Sequence, residues 1–190
     1  MTFTSVLALD IAGNPFDWIT PNEAVTLYAK GKIAWDLGHA ERVFLGGYSR
    51  SGVQSRIAIR PIIALAGSEI MASFAHQTYR LGERDNTLLF ERDRYTCGYC
   101  AQTFSSAELT RDHIFPRCKG GEDSWTNCVT ACKACNSAKG SRLVHDFKPL
   151  VFLPYVPSRW EYHLLSGRNI LADQHDYLAM KLPAESRLRH

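Results

Sequence analysis

Residues 97–139 read CGYCAQTFSSAELTRDHIFPRCKGGEDSWTNCVTACKACNSAK, and this stretch decides how the chain is understood. It opens on Cys97-Gly98-Tyr99-Cys100 and closes around Cys132-Lys133-Ala134-Cys135. A C-x-x-C turn points two sulfurs at one centre, and two such turns complete the tetrahedron that Zn²⁺ takes. Gly98 lies inside the first turn, where a tight backbone favours glycine. The competing arrangement is two disulfides or scattered buried thiols. The paired spacing favours a structural zinc on Cys97, Cys100, Cys132 and Cys135. The gap between the knuckles is longer than in a simple zinc ribbon, so a further folded element is expected between them.

That element carries the chemistry. Leu109 to Phe115 reads as a strand containing Asp112-His113, Gly120-Gly121 permits a loop, and Trp125 to Ala131 is predicted to form a helix that the second knuckle interrupts or extends. Asp112 offers a carboxylate oxygen. His113, with an ordinary pKa of about 6.5, is the natural general base near neutral pH. Asn136 offers an amide oxygen beside the second knuckle. Oxygen ligands of this kind suit Mg²⁺ or Mn²⁺ better than softer metals. A cation, a base and hard ligands are what phosphodiester hydrolysis needs. Asn127 is expected to make a structural hydrogen bond that positions His113. Lys139 and Arg142 follow Asn136 with no acidic residue between them, which fits a phosphate contact or a solvated helix end. Cys118 and Cys128 stand outside the knuckles and read as bystander thiols.

Outside this window the chain is ordinary for a globular protein, with 45% apolar and 22% charged residues over 190 positions. The net charge of +3 permits nucleic-acid binding without arguing for it, so any basic footprint must be local. No apolar stretch is long enough to span a bilayer. Met1 to Gly13 lacks a basic n-region, and Asp10 breaks its apolar run, so a reduced, cytoplasmic protein is expected. Val6 to Leu9, Ile33 to Leu37 and Arg56 to Leu65 read as strands. Thr20-Pro21-Asn22-Glu23 reads as a capping box opening a helix that stops at Gly31. Gly46-Gly47 and Ser51-Gly52 mark a hairpin. From Arg42 to Ser68 every charged residue is an arginine (Arg42, Arg50, Arg56, Arg60). This pattern fits a phosphate-tracking hairpin or, preferably, a solvated β surface. Asn86 to Arg94 reads as a short helix leading into the first knuckle. Pro149, Pro154 and Pro157 give an extended stretch, and helices are expected from Ser158 to Leu165 and over Asp173 to Leu182. The expected division is an N-terminal α+β region at 1–82, a metal-site domain at 83–147 and a C-terminal helical extension at 148–190.

The central window resembles the HNH endonuclease family on Cys97, Cys100, Asp112, His113, Pro116, Gly120, Gly121, Asn127, Cys132, Cys135 and Lys139. The resemblance implies an α+β protein with a ββα-metal core. It implies that His113 is the general base, that Asp112 binds the catalytic metal and that Asn127 orders the loop. Many members carry His where this chain has Asn136. DNA is the implied partner and endonuclease action on its phosphodiester bonds the implied activity. A non-catalytic zinc module that binds DNA or a protein partner is the alternative. No membrane partner is expected, and the oligomeric state is left open. Val6 to Ala66 also resembles, more weakly, the N-terminal region of some bacterial HNH proteins.

Overall fold

A computed structural model describes residues 3–67, 79, 81–82 and 86–189. Ser68, His76 and His190 therefore lie outside the described residues. The chain divides into two compact units, one of residues 1–78 with 159–189 and one of residues 79–158. The segment after Ser158, read from sequence as an extension, thus lies in the first unit.

The first unit is built on a four-stranded sheet in the order β2-β1-β6-β3, from β1 (Val6–Leu9), β2 (Pro15–Ile19), β3 (Ile33–Leu37) and β6 (Ile62–Leu65). Central strands β1 and β6 run parallel, and each is buried at all four positions. Their sequences, VLAL and IIAL, show no polar alternation, as expected of strands covered on both faces. Val6, Ala8, Ile63 and Leu65 join one apolar cluster with Ala24 of α1 (Pro21–Ala29), Phe44 of β4 (Arg42–Tyr48) and Ile57 of β5 (Gln54–Ile59). Leu7, Leu9, Ile62 and Ala64 join a second cluster with Leu178, Trp160, Leu164 and Tyr177 of the C-terminal helices. Gln174, buried in the last of these helices, donates to the carbonyls of Ser5 and Pro61 at 2.9 and 2.8 Å. Helix α1 carries the expected capping box between Thr20 and Glu23. The run expected as one strand from Arg56 to Leu65 is two, β5 and β6, broken at Arg60-Pro61. Strands β4 and β5 form a hairpin that turns at Ser51-Gly52, while Gly46-Gly47 falls inside β4. Two of the four arginines between Arg42 and Arg60 are used internally. Arg42 lies over the Phe44 ring at 5.0 Å, and Arg60 donates to the Gly38 carbonyl at 2.7 Å.

The second unit begins with α2 (Thr87–Arg92) and continues through the first knuckle to β7 (Leu109–His113). Antiparallel β8 (Cys128–Cys132) pairs with β7 so that His113 faces Cys128 and Leu109 faces Cys132, and α3 (Lys133–Lys139) follows at once. This ββα order corrects the expected helix over Trp125 to Ala131. Those residues supply a turn and then a strand. All five residues of β8 are buried, and its β-branched centre pairs with β7 rather than coiling. The core of this unit gathers Cys97, Tyr99, Val129, Ala131 and Cys132 against Phe104, Phe147, Leu150 and Phe152. The proline-rich stretch is tied in here, because Val151 N–H donates to the Gly98 carbonyl at 2.8 Å.

Arg92 fastens this unit from inside. Its guanidinium is wholly buried and grips both oxygens of Asp93, at 2.8 and 3.1 Å. It also donates to the carbonyls of Trp125, Cys128 and Tyr155. Asp93 in turn accepts from the Thr130 N–H at 2.8 Å. A buried charge is tolerated only with such complete pairing. Helices α4 (Arg159–Ser166) and α5 (Ala172–Ala179) close the first unit. Among the described residues no helix is long and apolar enough to cross a membrane.

Candidate active site and metal centre

The two knuckles converge. The sulfurs of Cys97, Cys100, Cys132 and Cys135 all lie within 4.8 Å of one another. Tetrahedral Zn²⁺ with bonds of about 2.3 Å sets its sulfurs roughly 3.8 Å apart, so the four fit one ion with slight closure. Backbone geometry supports the fit, because Tyr99 N–H points at Cys97 Sγ and Cys135 N–H at Cys132 Sγ, each at 3.4 Å. Cys132 thereby caps α3, so the second knuckle is also the helix start. Burial acts to raise the Cys97 thiol, but backbone N–H groups of Cys132, Cys100 and Tyr99 outweigh it and hold the thiol below its ordinary value. Cys135 is pushed up by burial and by its neighbours Cys132 and Cys97, a crowding of negative charge that a divalent cation relieves. None of the six cysteines forms a disulfide. Cys118 is exposed and Cys128 buried, and both stand apart from the four-sulfur cluster.

Strand alternation sorts β7 into two sides. Asp112 points inward and is 4% exposed. One of its oxygens accepts from the Tyr99 hydroxyl and the other from Lys139 Nζ at 3.0 Å. Burial and Asp112 together push the Tyr99 phenol far up. Lys139, from the end of α3, is 1% exposed and also donates to the His113 carbonyl at 2.7 Å. Asn136, one turn earlier, donates its amide nitrogen to Thr110 Oγ1 at 2.8 Å and to the Arg111 carbonyl at 3.3 Å. Its amide oxygen is the atom left for a ligand. Asp112, His113, Asn136 and Lys139 line one polar groove of about 250 Å³, with Pro116 and Arg117 at its side.

Arg111 and His113 alternate with Asp112 along the strand, both also border the groove, and they meet at Asp123. Arg111 donates to Asp123 Oδ1 at 2.7 Å, and His113 Nε2 is 3.0 Å from the same oxygen. Burial acts to raise the Asp123 carboxyl, but Arg111 and His113 outweigh it and hold the group below the usual carboxylate range. Asn127 pins the connecting loop. It accepts from the Phe115 N–H at 2.8 Å and donates to the Phe115 and Glu122 carbonyls at 3.1 and 2.9 Å. Glycine is required here, since a Cβ on Gly121 would sit 1.8 Å from the Phe115 carbonyl oxygen. Gly120 beside it takes a left-handed φ of 95°.

The fold thus brings Asp112, His113, Asn127, Asn136 and Lys139 into one neighbourhood. Arg142 instead turns back on its own helix, donating to the carbonyls of Ala138 and Lys139 and lying over Phe147 at 5.0 Å. Sequence reasoning missed Tyr99, Arg111 and Asp123. Tyr99 was visible only as filler between Cys97 and Cys100. Asp123 was one polar residue in a loop, and no spacing rule ties it to a histidine ten residues earlier. Comparison with curated proteins gives no match. Residues 97–149, the segment that holds both knuckles, the hairpin and α3, match the model of a family described as HNH endonuclease, which points to a nuclease or DNA-related function.

Proposed function

We propose that residues 97–149 form a metal-dependent nuclease centre that hydrolyses phosphodiester bonds in DNA. The observation that carries this reading is the convergence of Asp112, His113 and Asn136 on one polar groove beside the four-sulfur cluster. His113 takes the proton of a water as the water oxygen bonds to phosphorus and the bond to the leaving oxygen breaks. The donor set fits a hard divalent ion. A carboxylate oxygen carries two lone pairs, so Asp112 retains acceptor capacity beyond Tyr99 and Lys139. A Mg²⁺ or Mn²⁺ on Asp112 and Asn136 would stabilise charge on the phosphoryl and leaving oxygens. Asn127 holds the loop that carries His113's neighbours. Zinc on the four cysteines has a structural role, and the free thiols suit a reducing, cytoplasmic setting. Lys139, turned inward to Asp112, acts on the site from behind, while Arg142, exposed in the segment after α3, is the better placed of the two for a phosphate.

A second reading has its own observation. Both Asp112 oxygens are already engaged, as expected of a zinc module that binds DNA or a protein partner without cutting. Plasmid cleavage with Mg²⁺, Mn²⁺ or EDTA separates the two. The nuclease reading expects divalent-dependent cutting that His113→Ala abolishes with DNA affinity unchanged. Binding without cleavage under any divalent ion would leave the second reading.

A further inference from the structure

Asp123 has no part in the scheme above, yet it is the side chain that meets His113. Both groups are largely shielded, 14% and 12% exposed. The acceptor is Oδ1, which also takes Arg111 at 2.7 Å, and Arg117 stands 3.7 Å from Oδ2. Among the described residues no hydrogen bond holds His113 Nδ1. Ionised by its arginine, Asp123 can only accept. His113 must therefore present a proton on Nε2, and its lone pair falls on Nδ1.

We propose that Asp123 is a positioning residue that locks His113 in the Nε2–H tautomer and directs Nδ1 toward the groove. A neutral imidazole carries one donor and one acceptor, and which nitrogen is which follows from the bond the other makes. Asn127 and the Gly120-Gly121 turn bring Asp123 to this place, and Arg111 holds its carboxylate still. Arg111 also decides against a second metal. His113, Asp123 and Cys128 place ligand atoms within 4.8 Å of one another, but a guanidinium already neutralises the carboxylate they would share. The catalytic consequence rests on the nuclease reading; the tautomer itself does not.

The test is nitrogen-15 NMR of the full chain at about pH 8.5, two units above the ordinary imidazole pKa of about 6.5, with His113→Gln used to assign the resonance. Wild type should show one tautomer with a slowly exchanging Nε2 proton. Asp123→Ala should lose that proton signal, and Asp123→Asn, which keeps an acceptor oxygen, should restore it. In plasmid cleavage Asp123→Ala should lower kcat at least about 10-fold with DNA affinity unchanged, Asn recovering part. Because the proton signal needs no cleavage, failure of the lock and failure of the nuclease reading are told apart. A wild-type spectrum with mixed tautomers, or one unchanged in Asp123→Ala, overturns the lock. So does a second zinc per chain that disappears in Asp123→Ala.

Discussion

Lys139 Nζ sits 3.0 Å from Asp112 Oδ1, with the two side chains 1% and 4% exposed, so the last turn of α3 is tied to β7 by a buried ion pair. Breaking such a pair from one side strands a charge, at a cost of about 3–5 kcal/mol. Lys139→Met should therefore lower stability by that amount in urea titration. Lys139→Met with Asp112→Leu should recover most of it, because no charge is left alone. If Lys139→Met is neutral for stability and instead flattens the salt dependence of DNA binding, the lysine is a phosphate contact and the ion pair is incidental.

Metal content gives the next expectation. The purified protein should hold one zinc per chain, and Cys97→Ser or Cys132→Ser should release it and unfold residues 79–158, since thiolate zinc sites supply folding free energy to small modules. Cys118→Ser should change neither metal nor melting. Cys128→Ser should keep the zinc but lose about 1–2 kcal/mol, because it buries a hydroxyl at a fully buried position. Elemental analysis alongside melting reads all four variants, and zinc loss from Cys128→Ser would show the ligand set to be wrong.

Asn127 makes three hydrogen bonds that close the loop between β7 and β8. Asn127→Ala should cost about 0.5–1.5 kcal/mol, the net worth of hydrogen bonds whose freed partners can turn to water. It should slow cleavage by at least about 10-fold while leaving zinc in place. Asn127→Asp, which cannot donate to the two carbonyls, should not rescue it. Full activity in Asn127→Ala would mean that the loop is set by the glycines alone.

The first unit carries its own pH signature. His163 on α4 is 2% exposed, and burial, with Arg159 adding to it, lowers its pKa to about 4. The unfolded chain holds its proton more tightly, at an ordinary value near 6.5. Stability is therefore full above about pH 6.5 and falls as pH drops toward 4, by roughly 3 kcal/mol across the window. Melting temperature against pH should show this decline. His163→Gln should flatten it; an unchanged slope would assign the decline to other groups.

The sequence by itself determined the knuckles, the capped helix α1, strands β1, β3 and β7, and Asp112, His113, Asn136 and Lys139 as four residues that share the groove. Each rests on local rules: a two-residue spacing in C-x-x-C, a capping box, a run of branched side chains. It misled at Trp125 to Ala131, where Thr126, Val129 and Thr130 are weak helix formers and pairing with β7 makes the segment a turn and a strand. Other decisions were made by tertiary structure alone. VLAL and IIAL announce strands needing cover on both faces, but not that residues 159–189 would supply one of the covers. Arg92, indistinguishable in sequence from a surface arginine, became the buried anchor of the second unit because three carbonyls from distant segments joined its neighbour Asp93 in accepting from it. Lys139 turned inward to Asp112, and Asp123 reached His113 through a loop of glycines. Such pairings depend on charges finding partners out of water, and partners distant along the chain are chosen by packing rather than by spacing.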